Sequence, residues 1–305
     1  MSTALIEPPA QGPAPQAKAP RRKKQSKIVP LLLVLAGILV LLYPVVATYM
    51  ANRNQSVVSQ VYTDTTSEIS QEQNDAIIGA ARRYNADSVG GPILDPWLAR
   101  IREDNAAYME YLKQLDFGTD AMARVVIPAI HSDLPIYHGT TEEVLEKGIG
   151  HLFGTSLPVG GEGTHAVLTG HTGLTRATLW DNLADVKPGD AVYIQVGLEK
   201  MKYQVDGSKV VLPEETQSLH PEPGADKLTL VTCTPYGINS HRLLVEAHRV
   251  PMDAEGEQVF TQPLTPWQNW MTWVLVAVTA IILFILITYL RQKNKQRSGK
   301  AEAQQ

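Results

Sequence analysis

The sequence predicts a mostly β domain, a barrel or sandwich, flanked by two membrane-spanning helices. Three observations carry this prediction, and the first two are a series of short segments rich in Val, Ile, Tyr and Thr, and two long apolar runs without charged residues. The third is the distribution of charge, because the 305 residues carry a net charge of −4 while 51–269 hold 16 basic and 29 acidic residues. This excess of acidic residues argues against a nucleic-acid partner, because nucleic-acid binding needs a basic surface.

The predicted strands are short and evenly spaced. Gly, Pro, Asp and Asn separate them, and seven or eight strands at this spacing are typical of an antiparallel barrel or sandwich rather than of a parallel α/β sheet. Asp206-Gly207 predicts a hairpin turn within the fifth segment. The segments are 124–128, 134–138, 164–169, 190–196, 201–212, 226–233 and 241–250.

Helical patterns precede and interrupt these strands. Residues 55–85 predict a helix with few core anchors, and 98–115 predict an amphipathic helix from side chains at three- to four-residue intervals. Several Gly and Pro residues make 86–97 a loop. Two further stretches, 142–147 and 178–184, predict single short helices between strands.

The apolar runs predict two transmembrane helices. Residues 28–50 and 271–290 are 23 and 20 residues long without a charge, and a helix of that length crosses a hydrocarbon core of roughly 30 Å. Lys and Arg cluster before the first run and after the second, which predicts that both termini are cytoplasmic and that the part between is extracellular. The alternative for the first run is a cleaved signal peptide, whose apolar region is usually shorter, roughly 7–15 residues.

Cys233 is the only cysteine, so an internal disulfide and a Cys-rich metal site are excluded. It ends one predicted strand and precedes a loop, where a rigid backbone can present a nucleophile. The alternative is a buried thiol that acts as a small hydrophobic side chain. A nucleophilic thiol needs a base or a cation nearby, because little of it is ionised at neutral pH.

Two further residues are candidates for the chemistry at this thiol. His171 follows the strand 164–169 between small glycines that leave its ring accessible, and we assign it as the acid–base group. Arg242 and its neighbour His241 point to opposite faces of the last strand, so only one of them can face the thiol. Arg242 is preferred, because such a donor to a developing oxyanion contributes about 3–4 kcal/mol. The other histidines are expected to be structural or surface residues.

These motifs closely resemble those of the sortase family. The resemblance rests on TLVTC (Thr229–Cys233), on TPYGINSHR (Thr234–Arg242) directly after it, and on LTGHTG (Leu168–Gly173) upstream. Two further motifs, LPIYHGT (Leu134–Thr140) and DPW (Asp95–Trp97), resemble the pilus-assembling class C sortases. The similarity covers about residues 85–250, together with the arrangement of two membrane spans.

The resemblance implies a closed eight-stranded sortase-type β-barrel with short helices, and activity as a cysteine transpeptidase. Cys233 would attack the Thr–Gly bond of an LPxTG-type sorting signal, His171 would move protons between the amines, and Arg242 would hold the substrate and the oxyanion. The acceptor would be a lysine amine of another pilin. The implied partners are therefore pilin proteins with such signals, and neither a metal nor an organic cofactor is implied.

The DPW segment resembles the class C lid, in which the acid pairs with the catalytic arginine and the aromatic ring covers the cysteine. In this chain the lid residues would be Asp95, Pro96 and Trp97. The alternative is that Pro96 and Trp97 only begin a helix at Leu98.

Other functions stay open at this point. One is a housekeeping sortase that attaches surface proteins to a peptidoglycan precursor, another is a hydrolytic thiol protease, and a third is a membrane-anchored receptor without catalysis. In every case two spans would hold the domain at the lipid bilayer, close to membrane-retained substrates.

Together these observations divide the chain into seven predicted segments in a two-span protein of the cell membrane. They are a disordered cytoplasmic tail (1–27), a transmembrane helix (28–50), an extracellular helical stalk and lid region (51–117), the catalytic barrel (118–252), a linker (253–270), a second transmembrane helix (271–290) and a basic cytoplasmic tail (291–305).

Overall fold

A computed structural model describes residues 28–88, 93–97, 105–174, 176–261 and 264–302. The chain divides into two compact units, Met1–Val40 and Leu41–Gln305. The described part of the first unit is helical throughout. The second unit contains all the strands and every residue of the candidate site.

Eight strands close into one barrel. In chain order they are β1 (Ala123–Ile127), β2 (Ser132–His138), β3 (Ile149–His151), β4 (Thr164–Thr169), β5 (Ala191–Val196), β6 (Glu199–Val211), β7 (Asp226–Thr234) and β8 (His241–Val250). Around the barrel the order is β1-β2-β3-β4-β7-β8-β6-β5, and β5 pairs with β1 to close it. Buried Val, Ile and Leu side chains from the strands form the core. The predicted mostly β, eight-stranded barrel is confirmed.

The barrel is mixed rather than purely antiparallel, which corrects the strand directions expected from the sequence. β2 pairs with β3 in parallel, and so does β4 with β7. Parallel neighbours need a longer crossover connection than a hairpin supplies. The helix at 142–147 provides one crossover and the β5–β6 hairpin lies within the other. The second of these parallel pairs positions the candidate site.

The Asp206-Gly207 hairpin prediction is wrong. β6 runs through these residues without reversing, and its pairing with β8 shifts by one residue between Val205 and Gly207, which is a β-bulge. A bulge and a hairpin both use Asp and Gly, so the dipeptide alone does not separate them. His248 is exposed, and its Nδ1 atom lies 2.6 Å from the Asp206 carboxylate.

One strand was not predicted from the sequence because it is very short. β3 has three residues, Ile149–His151, and a segment of that length shows no usable period-2 pattern. It nevertheless completes the barrel, because it joins β2 to β4.

Six helices accompany the barrel in the described part of the chain. They are α1 (Ile28–Ser67), α2 (Gln71–Ser88), α3 (Ala106–Tyr111), α4 (Glu142–Lys147), α5 (Ala254–Val259) and α6 (Asn269–Glu302). The prediction at 142–147 is confirmed by α4, whereas 178–184 contains only a 3-10 turn at Leu183–Asp185. Of the predicted helix 98–115, residues 98–104 lie outside the described part, and α3 covers only the first half of the remainder.

Residues 55–85 are helical as predicted, but they have core anchors that the sequence analysis missed. Tyr62, Ile78 and Ala81 belong to the barrel's buried apolar cluster. The Tyr62 hydroxyl donates a hydrogen bond to the Met122 carbonyl (3.1 Å) and accepts one from the Gly197 amide (2.8 Å). These helices therefore pack on the barrel, since a pattern with few large apolar residues can still bury the ones it has.

Among the residues that the structure describes, two helices are long and apolar enough to cross a membrane. They are α1 and the Asn269–Asn294 part of α6. Both helices extend beyond the apolar runs, and the predicted linker 253–270 contains α5. The pair fits a membrane-anchored protein, while the orientation of the termini, the segment boundaries and the nature of the tails stay predictions.

Candidate active site

Three adjacent strands bring the candidate residues to one end of the barrel. Cys233 on β7 directly opposes Arg242 on β8, and side chains in such antiparallel pairs have Cβ atoms about 4.5–5.5 Å apart. On the other side of β7, Thr169 of β4 pairs in parallel with Val231. His171 and Cys233 each follow two residues later. The register therefore places all three predicted residues at the same end.

The Cys233 thiol is buried, with 6% of its surface exposed. Burial raises the pKa of Cys233 to about 11; the Arg242 guanidinium opposes this rise and the Asp95 carboxylate adds to it. The thiol is therefore protonated at neutral pH in this conformation. A nucleophilic thiol needs a cation nearby, and Arg242 is the cation near Cys233. Its guanidinium, however, is also paired with the Asp95 carboxylate.

Asp95 occupies the guanidinium of Arg242. The Arg242 Nε and Nη2 atoms donate to the two Asp95 carboxylate oxygens at 2.7 and 3.0 Å. Its Nη1 donates to the backbone carbonyls of Asn239 and His241 at 3.1 and 3.2 Å. The arginine is thus engaged on both sides, and an incoming oxyanion would have to compete with the carboxylate.

Trp97 covers the same arginine. The Arg242 guanidinium carbon lies 4.6 Å from the centre of the Trp97 ring, a cation–π contact. The Trp97 ring centre also lies 6.1 Å from that of His171. The Pro96 carbonyl accepts a hydrogen bond from the Thr140 hydroxyl at 3.0 Å, which ties the segment to the barrel. All three residues of the predicted lid therefore contact the site or its rim.

His171 begins the loop after β4. The preceding Gly170 has no room for a side chain, because a Cβ there would lie 2.6 Å from Ile149 and 2.8 Å from the Trp180 ring. The His171 carbonyl accepts a hydrogen bond from the Trp180 amide at 3.1 Å. Its Nε2 atom is buried without a hydrogen-bond partner and lies 3.5 Å from a Glu142 carboxylate oxygen. One ring nitrogen is therefore held near a carboxylate without being bonded to it.

Asp181 anchors the two residues that follow His171. Its Oδ1 accepts hydrogen bonds from the Gly173 amide (2.7 Å) and the Thr172 hydroxyl (3.1 Å). Burial raises the pKa of Asp181, and these two hydrogen bonds act against that rise. The loop thus has a fixed internal support.

Other histidines have structural partners, as expected. The ring nitrogens of His151 lie 2.9 Å from the Tyr111 hydroxyl and 2.8 Å from the Ser156 carbonyl oxygen, and burial lowers the pKa of His151 to about 4. His138 contacts the Gln114 carbonyl at 2.8 Å. These rings contact hydrogen-bonding partners within the scaffold, whereas the Nε2 atom of His171 has no hydrogen-bond partner within the described part of the chain.

Sequence reasoning missed Glu142 and Asp181. Glu142 starts α4, which the sequence does predict, but nothing local shows that this helix end faces His171. Asp181 lies ten residues after His171 in a stretch expected to be helical. Within the described residues, no cluster of three or more His, Cys, Asp or Glu side chains is placed to hold a metal ion.

Comparisons with known proteins identify a family that this chain matches. A sortase domain model matches residues 125–250. Sortase A of Bacillus anthracis is 29% identical over 134 residues, which are 44% of this chain and 62% of that protein. The chain thus spans less than two thirds of the length of this relative.

Solved structures give a closer match. The chain is 54% identical to sortase C-1 from Actinomyces oris, covering 59% of this chain and 99% of that one, with a TM-score of 0.58. It is 50% identical to sortase A from Corynebacterium diphtheriae, covering 67% of this chain and 94% of that one, with a TM-score of 0.59. A lid mutant of the latter sortase also matches. The chain therefore belongs to the sortase family of cysteine transpeptidases, with class C sortases among its structural neighbours.

Proposed function

We propose that this protein is a membrane-anchored transpeptidase that polymerises pili. It cleaves an LPxTG-type sorting signal between Thr and Gly and transfers the acyl group to a lysine amine of another pilin. The observation that carries this proposal is the register of β4, β7 and β8, which brings His171, Cys233 and Arg242 to one barrel end beneath Asp95 and Trp97.

The first half of the reaction forms a thioester. The Cys233 thiol gives its proton to His171 as the sulfur attacks the threonine carbonyl carbon, and the carbonyl oxygen becomes an oxyanion that the Arg242 guanidinium stabilises. The C–N bond to glycine then breaks, and His171 gives a proton to the departing amine. Arg242 suits this role because its planar guanidinium stays charged and offers several donors.

The second half transfers the acyl group. A lysine amine attacks the thioester carbon, the C–S bond breaks, and a proton from the amine passes to His171. The product is an isopeptide bond between two pilins, and the sulfur is free for another cycle. A lysine acceptor accounts for a chain of covalently linked subunits.

The segment Asp95-Pro96-Trp97 acts as a lid in this proposal. Asp95 occupies donors that the oxyanion needs, and Trp97 lies over the guanidinium. Burial and the Asp95 charge also keep the thiol protonated. Displacement of the lid would free Arg242 and expose the sulfur, so the closed arrangement is a resting state.

A peptide reaction tests the proposed chemistry. The full chain in lipid nanodiscs is incubated with an LPxTG peptide, and mass spectrometry is used to find an acyl adduct on Cys233 that hydroxylamine removes. The variant Asp95→Ala/Trp97→Ala is run in parallel, so that a closed lid does not hide the reaction. Cys233→Ala is the negative control. Absence of the adduct in both the wild-type protein and the lid variant contradicts the proposal.

The products then separate the remaining functions. A pilus sortase yields a ladder of linked pilins that depends on lysine, and a housekeeping sortase yields single proteins on a peptidoglycan precursor. A protease would release the cleaved signal at the same rate with or without an added amine. Lysine-dependent ladders are the expected result.

A further inference from the structure

Asn52, just after the apolar run of α1, and Gln268, just before α6, both contact the loop that follows His171. We propose that Asn52 of α1 is a positioning residue for His171, acting through Thr178 and Asp181. The proposal rests on the function proposed above and assigns the helices a part in catalysis beyond tethering.

Asn52 clamps one residue of this loop with both ends of its side-chain amide. Its nitrogen donates to the Thr178 hydroxyl oxygen at 3.0 Å, and its oxygen accepts from the Thr178 backbone amide at 3.2 Å. The same nitrogen also donates to the Pro266 carbonyl at 3.0 Å. Asn52 is 8% exposed, so its polar atoms find their partners within the protein.

Thr178 is linked to His171 by a short series of hydrogen bonds. The Thr178 carbonyl accepts from the Asp181 amide at 2.9 Å, and the Asp181 carboxylate holds Gly173 and Thr172. Trp180 lies between Thr178 and Asp181 in the chain, and its backbone amide donates a hydrogen bond to the His171 carbonyl. A shift of Thr178 would therefore move both supports of the residues around the imidazole.

A second contact ties the same loop to the start of α6. The Asn182 side-chain amide donates a hydrogen bond to the Gln268 side-chain oxygen at 2.9 Å, and Gln268 immediately precedes α6. Trp267 packs edge-on against Tyr49 of α1, with ring centres 6.2 Å apart. Residues 178–182 are thus attached to α1 just after its apolar run and to the residue just before α6.

A polar clamp fixes position more sharply than apolar packing does. Apolar contacts elsewhere hold the N-terminal helices on the barrel, but a bidentate amide specifies one register between the helix and the loop. Proton transfer in turn requires the imidazole to lie within hydrogen-bond reach of its partners. Small misplacements of a reacting group cost rate, about 100-fold for 1 Å.

The test compares Asn52→Ala with Tyr62→Phe in the full chain in nanodiscs. Tyr62 lies on the same helix and also bonds to the barrel, but to Met122 and Gly197. Backbone hydrogen exchange at Gly173, whose amide donates to Asp181, should rise in Asn52→Ala and stay unchanged in Tyr62→Phe, where exchange should rise at Gly197 instead. This readout needs no substrate, so it judges the clamp even if the LPxTG peptide proves inert.

Kinetics separate positioning from a purely structural role. For acylation by the LPxTG peptide, Asn52→Ala should lower kcat about 10- to 100-fold with little change in KM. Tyr62→Phe should retain kcat at a comparable loss of thermal stability. Absence of the thioester in both the wild-type protein and the lid variant would refute the proposed function, while normal wild-type turnover together with an unchanged Asn52→Ala kcat refutes the clamp.

A second pair of variants covers the case in which Asn52→Ala fails to fold. Thr178→Val keeps the side-chain shape but loses the hydroxyl that accepts from Asn52, whereas Thr178→Ser restores it. We expect lowered kcat and faster exchange at Gly173 in Thr178→Val, and recovery of both in Thr178→Ser. Equal behaviour of the two variants overturns the inference.

Discussion

Two buried arginine–aspartate pairs of nearly identical geometry lie in different parts of the molecule. Arg124 donates Nε and Nη2 to the two oxygens of Asp133 at 2.8 and 2.7 Å, as Arg242 does to Asp95. Each guanidinium also faces an aromatic ring, Phe260 in the first pair and Trp97 in the second. Local chemistry therefore does not distinguish them.

Their surroundings do distinguish them. Arg124 and Asp133 lie on neighbouring strands nine residues apart, and Arg124 also bonds Thr63 of α1 and the Phe260 carbonyl. Asp95 lies 147 residues from Arg242, on a segment outside the barrel strands. The first pair is enclosed by the scaffold, whereas the second depends on a segment that we propose the substrate displaces. Under this proposal the same ion pair is structural in one place and exchangeable in the other.

The largest effect is expected from Asp133→Ala, which should lower the free energy of unfolding. Arg124 is fully buried, and loss of its carboxylate would leave an uncompensated buried charge, at a cost of about 3–5 kcal/mol in the free energy of unfolding. Chemical denaturation of the full chain in detergent measures it. Asp206→Ala, which removes an exposed pair with His248, serves as the control and should change little. A loss below about 1 kcal/mol for Asp133→Ala would show that the pair is not structural.

Arg242→Gln should leave the fold intact and remove activity. We expect acylation of Cys233 to slow about 100- to 1,000-fold, because the oxyanion loses its charged donor. Stopped reactions with the LPxTG peptide, followed by mass spectrometry, give the rate. Arg249→Gln is the matched control, since Arg249 lies on the same strand but stacks on Tyr203. Similar rates for both variants would contradict the role of Arg242.

Removal of the lid should increase the reactivity of Cys233. Asp95→Ala/Trp97→Ala exposes the sulfur and removes a negative charge while Arg242 remains, so the pKa of Cys233 should fall from about 11. Each unit of decrease raises the thiolate fraction at neutral pH about tenfold. Alkylation by iodoacetamide, measured against pH, should accelerate and shift its midpoint to lower pH. Leu94→Ala is the control, because Leu94 is the exposed residue directly before Asp95. An unchanged alkylation rate in the double variant would contradict the assignment of this segment as a lid.

The smallest effect is expected from Glu142→Gln. Its carboxylate lies 3.5 Å from the His171 ring but is 72% exposed, so solvent screens the interaction. We expect acylation to slow about two- to fivefold, and the difference to shrink at high salt. Glu143→Gln, which affects only the neighbouring contact with Lys147, should have no effect on acylation. A difference independent of salt would argue against an electrostatic role.

Much of the barrel and of the candidate site could be predicted from local pattern. All seven strand segments, the helix at 142–147 and both apolar helices correspond to elements of the structure. His171, Cys233 and Arg242 could be singled out because strand ends and loop residues carry recognisable neighbours, whereas the DPW segment was assigned as a lid only through its resemblance to class C sortases. Asp206-Gly207 failed because a bulge and a hairpin share the same residues.

The sequence by itself thus determined the strand composition, the two apolar helices and the residue types available for thiol chemistry, because periodicity and local conformational preference depend on near neighbours. Only the tertiary structure decided that β4 pairs with β7, that Asp95 reaches Arg242, and that Asn52 reaches Thr178. These contacts join residues that are 62 to 147 positions apart. Such pairings depend on the closure of the barrel and on the packing of helices against it, which no short stretch of the chain encodes.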